Sequence, residues 1–429
     1  MNAKSFDLVS FILSYRGALK NALAYTFFAA PQKKISTNYQ PAQHFQDTRF
    51  ENCNHQRLTL SILDSNGNFR LPRNVAILVS CLALPAFGLT LFGTSGTAIA
   101  ASSNCADPIA LTNSESDRTA GMVFIPGGSF QMGSESMRPE ERHVRSVHVD
   151  GFWMGQHEVT NAQYRQFVEA TGYITVAERG LDAASHPDMS SDLLAPGSVV
   201  FVKPTDLDRG GSITQWWQYR RGADWQHPEG PGSSIVDRAN HPVVHVTFED
   251  AEAYAKWRGH SLPTEAQWEF AALGGLSADH DWTRPYDTSG KPAANTWQGY
   301  FPLLNTKEDG FEGTSPAGCF KANGYGLQDM LGNVWEWTRD WYVPGHPRKD
   351  GVQRNPTGPD LGLMKAFAPA QIARRVIKGG SYLCAFNYCS RYRPSARQPQ
   401  EADLGAAHLG FRTVFVQPSK EEQALNIAK

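Results

Sequence analysis

Residues 262–275 read LPTEAQWEFAALGG, and they predict the most sharply bounded element of this chain. Thr264 offers the side-chain oxygen that an N-cap needs, and Gly274 allows the left-handed backbone that often ends a helix. No Gly or Pro interrupts the run between these two residues. We therefore expect a helix over residues 265–273.

Two further helices are predicted N-terminal to this one. Thr160 and Gln163 have the spacing of a capping box, and the apolar residues that follow recur at helical spacing. Thr247 and Asp250 resemble a second cap, which opens the run EDAEAYAKWRG and ends at the stop Gly259.

Strand signals lie mainly before the helices. Residues 122–134, MVFIPGGSFQMGS, alternate around a Gly-Gly turn and predict a hairpin. Residues 147–160, VHVDGFWMGQHEVT, read as one further strand that ends at Thr160. Residues 178–240 show no sustained period, and we expect a long ordered excursion over the core. Short elements and frequent turns favour an α+β domain with many loops and little regular secondary structure.

Composition excludes some classes of function. The chain has 429 residues, a formal net charge of -2 and 41% hydrophobic residues, which suits a globular protein with a large core. Such a balance provides no global attraction for nucleic acid or for an anionic membrane. We therefore predict no nucleic-acid partner.

The first 100 residues are predicted to be a leader, with a signal-like segment at about 70–100. Two arginines precede the apolar run 75–92, and the small-residue triplet 98–100 follows it. This layout indicates export, periplasmic or secreted, with cleavage near Ala100 and no stable membrane insertion of the mature domain. A membrane anchor is the alternative, which Pro85 and Gly88 weaken. Residues 101–120 are expected to be a flexible start of the mature chain.

Four cysteines would remain after cleavage, and two of them lie close together. Cys384 and Cys389 stand five residues apart in RVIKGGSYLCAFNYCSRYRP, residues 375–394, whereas Cys105 and Cys319 are isolated. Thiolates are soft ligands for copper(I), zinc or iron-sulfur centres, and two of them can also form a disulfide. The pair is thus either a redox or metal centre or a structural disulfide.

A histidine pair tests the possibility of an iron site. His241 and His245 stand four residues apart, but residue 247, where an H-x-x-x-H-x-E triad needs an acid, is Thr. Pro242 also opposes a helix that would place both imidazoles on one face. Core packing along a strand is the preferred interpretation.

Several motifs, read in chain order, resemble the formylglycine-generating enzyme family, also called sulfatase-modifying factors. They are IPGGSFQMGS, HEVTNAQYRQFV, LPTEAQWEFAA, NGYGLQDMLGNVWEW, RVIKGGSYLCAFNYC and HLGFR. Some are shared with the wider C-type-lectin-like superfamily, and the cysteine pair narrows the choice to the enzyme branch. The resemblance implies a single compact catalytic domain over residues 121–417, followed by a tail over 418–429.

What the resemblance implies is a copper-dependent oxidase that acts on another protein. Such an enzyme uses O₂ and a thiol reductant to convert a cysteine in a C-x-P-x-R segment of a sulfatase to Cα-formylglycine. By this likeness Cys384 and Cys389 bind copper(I), and Ser381 falls on a position associated with the active site. A serine after Gly-Gly is equally often a turn residue.

The resemblance also implies two structural calcium sites, built from hard oxygen donors. Their predicted ligands are Asn295, Thr296, Asp309 and Phe311 in one group and Asp329, Gly332, Val334 and Glu336 in the other. Without the resemblance, carboxylates that cap loop turns would be the preferred interpretation.

Departures from the family pattern leave two points open. Ala255, Ala272, Pro394 and Thr413 stand where animal relatives carry structural cysteines, so the core, aided by calcium, is expected to provide the stability. His408 stands where some relatives have Asn, beside what resembles the substrate groove, which leaves peptide affinity undetermined.

Two other functions are compatible with the sequence. One is a non-catalytic binding module of the same superfamily, and the other is an oxidase of an unrelated protein thiol. A cysteine substitution that leaves ligand binding intact would indicate the first, and a side-by-side peptide assay would reveal the second.

Overall fold

The computed structural model describes residues 105, 118–204, 216–277, 280–282, 285–362 and 374–417. The predicted leader, most of the segment 101–120 and the tail 418–429 lie outside the described residues. No helix within the described ranges is long and apolar enough to cross a membrane.

The helices of the described chain are few and short. They are α1 (Asn161–Thr171), α2 (Val176–Arg179), α3 (Ser191–Leu194), α4 (Phe248–Trp257) and α5 (Glu265–Leu273), with a 3₁₀ turn at Pro139–Glu141.

The strands are equally short and form several small sheets. They are β1 (Met122–Ile125), β2 (Gly128–Met132), β3 (Arg145–Val149), β4 (Phe152–Gly155), β5 (Gly197–Phe201), β6 (Trp217–Arg221), β7 (Gly299–Tyr300), β8 (Leu304–Asn305), β9 (Trp335–Trp341), β10 (Gln353–Arg354), β11 (Arg374–Lys378), β12 (Gln398–Glu401), β13 (Leu409–Gly410) and β14 (Val414–Phe415). The sheet orders are β1-β4-β14, β10-β3-β2, β12-β11-β9-β13, β5-β6 and β7-β8. The predicted α+β fold with many loops is confirmed.

Local capping chemistry explains where the three main helices begin. Thr160, Thr247 and Thr264 each accept the N3 backbone N–H, and in each case the N3 side chain returns a bond to the cap. Gly274 ends α5 with φ 59°. All three predicted helices are therefore confirmed, and α5 has the predicted bounds.

The predicted hairpin over residues 122–134 is wrong. Both strands form, but β1 pairs with β4 and β2 pairs with β3, each antiparallel. Gly127, with φ 74°, diverts the chain between two sheets, and a Cβ there would lie 2.6 Å from the carbonyl oxygen of Val149. The Gly-Gly segment therefore connects strands of two different sheets and does not form a hairpin turn.

The single strand predicted over residues 147–160 is also wrong. β3 ends at Val149 and β4 spans Phe152–Gly155, so Asp150-Gly151 connects strands of two different sheets and the run before Thr160 is irregular. The excursion over residues 178–240 contains an antiparallel pair that periodicity did not reveal, β5 with β6.

Helix α5 is buried along almost its whole length and anchors both ends of the segment that carries the cysteines. Lys378, at the end of β11, donates to Glu269 at 2.8 Å, and Arg397 donates to Glu265 at 2.7 Å. All four side chains are buried, so each charge needs its partner. These pairs fix the chain immediately before and after the candidate site.

Outside this core, a disulfide joins Cys105 to Cys319 across 214 residues. The sequence pattern predicts no partner for either cysteine.

Candidate active site: a buried cysteine pair

The cysteine-bearing loop begins where β11 ends. Gly379 and Gly380 follow Lys378, both with positive φ, and they turn the chain into the protein interior. A Cβ on Gly380 would lie 2.8 Å from the Cα of Tyr392, so the loop can close only with glycine here.

Cys384 and Cys389 are both buried and both reduced. Their relative exposures are 1% and 7%, and each is a free cysteine. Cys384 donates a side-chain hydrogen bond to Cys389, so the two sulfurs face each other without a bond between them. The alternative of a structural disulfide is not what the structure contains.

Electrostatics make the two sulfurs unequal. Burial, then the hydrogen bond to Cys389, raises the pKa of the Cys384 thiol well above its usual value. The hydrogen bond from Cys384, assisted by the charge of Arg391, lowers the pKa of Cys389 to about 6. Cys389 is therefore the more acidic sulfur of the pair, and Cys384 is the one that keeps its proton more tightly.

Ser381 is buried and lies at the entrance of the same turn. Its carbonyl accepts the N–H of Cys384 at 2.8 Å, and its hydroxyl oxygen accepts the N–H of Leu383 at 3.3 Å. The hydroxyl therefore has a turn-forming role, and its own proton is left to donate.

Aromatic side chains surround the loop. Tyr388 stacks on Phe301 with ring centroids 4.4 Å apart, and Trp216 contacts both rings. Tyr388 remains 41% exposed, so this aromatic wall reaches the surface next to the buried sulfurs. His408 lies against Trp217 at 4.6 Å, and burial lowers its pKa to about 3, which keeps the imidazole neutral.

A cavity of about 520 Å³ lies beside the loop. Tyr382 and Trp297 line it, together with the charged residues Lys203, Glu229 and Arg238. The backbone N–H of Trp297 donates to the carbonyl of Cys384 at 3.2 Å, but neither cysteine lines the cavity. The cavity is thus adjacent to the cysteine loop and separate from the sulfurs.

The first predicted calcium group is brought together but already has donors. Asp309 accepts N–H bonds from Thr296 at 3.1 Å and Phe311 at 2.9 Å, and the Gln298 amide donates to the same carboxylate at 2.9 Å. The Asn295 amide donates to the carbonyl of Gly313 at 2.9 Å. Burial nevertheless raises the pKa of Asp309 above its usual value, and the calcium assignment of this group stays a prediction.

The second group has an unsatisfied centre. Asp329 is buried and uses one oxygen to accept the N–H of Gly318 at 2.5 Å, while its other oxygen has no donor. Glu336 is bound by the guanidinium of Arg412 at 2.6 Å and by the indole N–H of Trp268 at 2.7 Å. Cation-binding capacity in this group is therefore concentrated at Asp329.

Glu158, which sequence reasoning missed, lies next to this centre. It is fully buried, and neither carboxylate oxygen receives an N–H or O–H bond apart from a proton that it can share with Asp329. Burial and the neighbouring Asp329 charge raise the pKa of Glu158 well above its usual value, and burial raises that of Asp329 to about 6. The available signal was an acid two residues before the cap Thr160, next to the apolar Val159.

The histidine pair has structural partners. His245 bonds through one ring nitrogen to Ser198 at 2.9 Å and through the other to the carbonyl of Pro228 at 2.8 Å. His241 bonds to Thr314 at 2.9 Å. Neither His245 nitrogen is left for a metal, in agreement with the core interpretation.

Comparison with known proteins places these residues in a family context. Residues 109–416 match the model of the sulfatase-modifying factor enzyme 1-like domain. A formylglycine-generating enzyme of Mycobacterium tuberculosis is 48% identical over 296 residues, which cover 68% of this chain and 97% of that protein. The formylglycine-generating enzyme of Mus musculus is 43% identical over 71% of this chain and 75% of its own length. A Bos taurus relative named inactive C-alpha-formylglycine-generating enzyme 2 is 42% identical over 69% of this chain and 88% of its own length.

Proposed function

We propose that this chain, which belongs to the sulfatase-modifying factor family, converts a cysteine in a C-x-P-x-R segment of a sulfatase to Cα-formylglycine. The observation that carries the proposal is the buried, reduced pair Cys384 and Cys389, with its sulfurs hydrogen-bonded to each other. Identity alone does not decide activity, because a relative named inactive is almost as similar as those named enzymes.

The sulfur pair fits copper(I). Two thiolates are soft ligands that suit a low-coordinate ion, whereas structural zinc normally takes four ligands. Copper(I), when held by Cys384 and Cys389, would supply an open position for the client sulfur and for O₂. The chain's own contribution is to keep both sulfurs reduced, dry and fixed in place.

The net reaction balances with a thiol reductant. The client thiol, O₂ and two reductant thiols become the aldehyde, hydrogen sulfide, water and one disulfide. The client Cβ provides two electrons, the two reductant thiols together provide two more, and O₂ takes up all four. A reductant is therefore an obligatory partner of the proposed reaction.

The aromatic wall suits a peptide that arrives in extended form. Tyr388 offers exposed apolar surface beside the sulfurs, and the buried ring of Phe301 supports it from below. Aromatic rings of this kind contact a peptide with little loss of side-chain freedom. His408, neutral against Trp217, would contribute shape and hydrogen bonding rather than charge.

We further propose a structural calcium ion at the second group, with Glu158 added to the predicted ligands. The carboxylate oxygens without donors on Glu158 and Asp329 are hard ligands that such an ion prefers. Export of the mature domain remains part of the proposal, on the basis of the signal-like leader.

The decisive assay presents a C-x-P-x-R peptide to the copper-loaded protein with reductant and O₂. Mass spectrometry is expected to show loss of sulfur and a carbonyl that reacts with a hydrazide. Cys384→Ser and Cys389→Ser should abolish it, while Asn387→Ala, an exposed substitution between them, should not. No aldehyde from wild-type protein with verified copper would refute the proposal.

One control peptide and one binding measurement address the alternatives. A cysteine peptide without the Pro and Arg should react poorly, and equal turnover would point to an oxidase of unrelated thiols. Peptide binding without turnover, unchanged in Cys384→Ser, would instead indicate a binding module.

A further inference from the structure

The two cysteines are held by their main-chain groups. The N–H of Cys384 donates to Ser381 at 2.8 Å, and its carbonyl accepts from the N–H of Trp297 at 3.2 Å. The N–H of Cys389 donates to the carbonyl of Ala385 at 3.0 Å. These three bonds are between backbone groups, so no side-chain substitution removes them directly.

The carbonyl of Cys389 is held differently, by a side chain from far along the chain. Arg138 Nη2 donates to this oxygen at 2.6 Å, across 251 residues of sequence. A hydrogen bond from a charged donor is shorter and stronger than a neutral one. Cys389 is therefore fixed on one side by its own turn and on the other by a guanidinium.

The support of Arg138 is itself anchored to the segment that follows Cys389. In the adjoining 3₁₀ turn, Glu140 pairs with Arg391 at 2.8 Å, and Glu141 pairs with Arg393 at 2.6 Å. Ser395 also donates to Glu141 at 2.8 Å. Every second residue after Cys389, namely Arg391, Arg393 and Ser395, thus binds the 3₁₀ turn that Arg138 precedes.

We propose that Arg138 is a positioning residue for the cysteine pair. Its guanidinium holds the Cys389 carbonyl and thereby sets where the Cys389 sulfur stands relative to the Cys384 sulfur. The inference rests on the proposed copper site and adds to it a residue that touches neither metal nor client.

Anaerobic titration of copper(I) against a chromophoric chelator tests this role without any client or O₂. Arg138→Met should bind copper(I) about tenfold more weakly than wild type or worse, since loss of an outer contact to a ligand typically costs 10–100-fold. Arg142→Met, an exposed arginine four residues along, is the matched control and should bind as wild type does.

A conservative variant separates positioning from general stability. Arg138→Lys keeps a cationic donor and should recover most of the copper(I) affinity that Arg138→Met loses. The melting temperature of Arg138→Lys should equal that of wild type. In turnover, the loss in Arg138→Met should appear in kcat at limiting copper, with KM for the peptide unchanged. If Arg138→Met does not fold, Arg138→Gln replaces it with the same expectation.

Wild-type copper(I) affinity in Arg138→Met, or in Arg138→Gln where that replaces it, would overturn the inference. So would a loss of affinity in Arg142→Met equal to that in Arg138→Met. Failure of the proposed function looks different: wild-type protein would bind copper(I) but yield no aldehyde, or would not bind it at all.

Discussion

Replacement of Glu158 by Gln tests the buried carboxylate pair most directly. The variant keeps the shape of the side chain, replaces a carboxyl group that can ionise by an amide that cannot, and adds an amide donor for the free Asp329 oxygen. If calcium occupies this site, the wild-type protein depends on it at neutral pH. In a chelator the variant should therefore be the more stable protein.

The size of the effect follows from the pKa of Asp329. Burial raises it from an ordinary value of 3.8 to about 6, which corresponds to about 3 kcal/mol at about 1.4 kcal/mol per pKa unit. Because the folded pKa lies above the unfolded value, ionisation opposes folding, and stability is lost as pH rises from about 4 through about 6. About 1.4 kcal/mol of this loss falls between pH 5 and pH 7.5, so wild-type protein in chelator should lose about 3 °C of melting temperature over that range.

Thermal unfolding with chelator or calcium, at both pH values, measures these quantities. Calcium should restore wild-type stability at pH 7.5 and have a smaller effect on Glu158→Gln. Glu252→Gln, on the exposed face of α4, is the control and should change little. The reasoning is refuted if chelated wild-type protein melts at the same temperature at both pH values and Glu158→Gln is no more stable.

Three further predictions concern the frame around the site. Thr264→Ala removes the cap of α5 and should lower the free energy of unfolding by about 1 kcal/mol in denaturant titration, whereas an unchanged midpoint would mean that the cap is redundant. Burial raises the pKa of Asp340 to about 7, so its ionisation should lower the free energy of unfolding as pH rises from about 4 to 7. Asp340→Asn should therefore flatten the dependence of this free energy on pH, and a pH dependence parallel to that of wild type would contradict this. Glu269→Gln removes the carboxylate 2.8 Å from the buried Lys378 and leaves only that of Glu265 at 3.8 Å. It should destabilise by about 3 kcal/mol, a loss that calorimetry would detect and that Glu252→Gln should not show.

The helix boundaries and the proximity of Cys384 to Cys389 could be predicted from the sequence because both depend on residues that are close along the chain. A capping box joins residues three apart, and two cysteines five apart share one loop whatever the remaining chain does. Family motifs extended this to the catalytic hypothesis and to the second set of cation ligands. The hairpin failed for the opposite reason, since the partners of β1 and β2 are chosen by sheet packing rather than by their connecting turn.

The local chemistry of this protein thus follows from its amino-acid order: capped helices, short strands, a Gly-Gly entry and two soft ligands in one loop. Which distant groups meet depends on the folding of the whole chain. That folding places Glu158 against Asp329, Arg138 on the carbonyl of Cys389, and the charges of α5 on both ends of the cysteine segment. Such contacts close loops of a hundred residues or more, and burial of the whole core stabilises them. No pattern of nearby residues can therefore predict them.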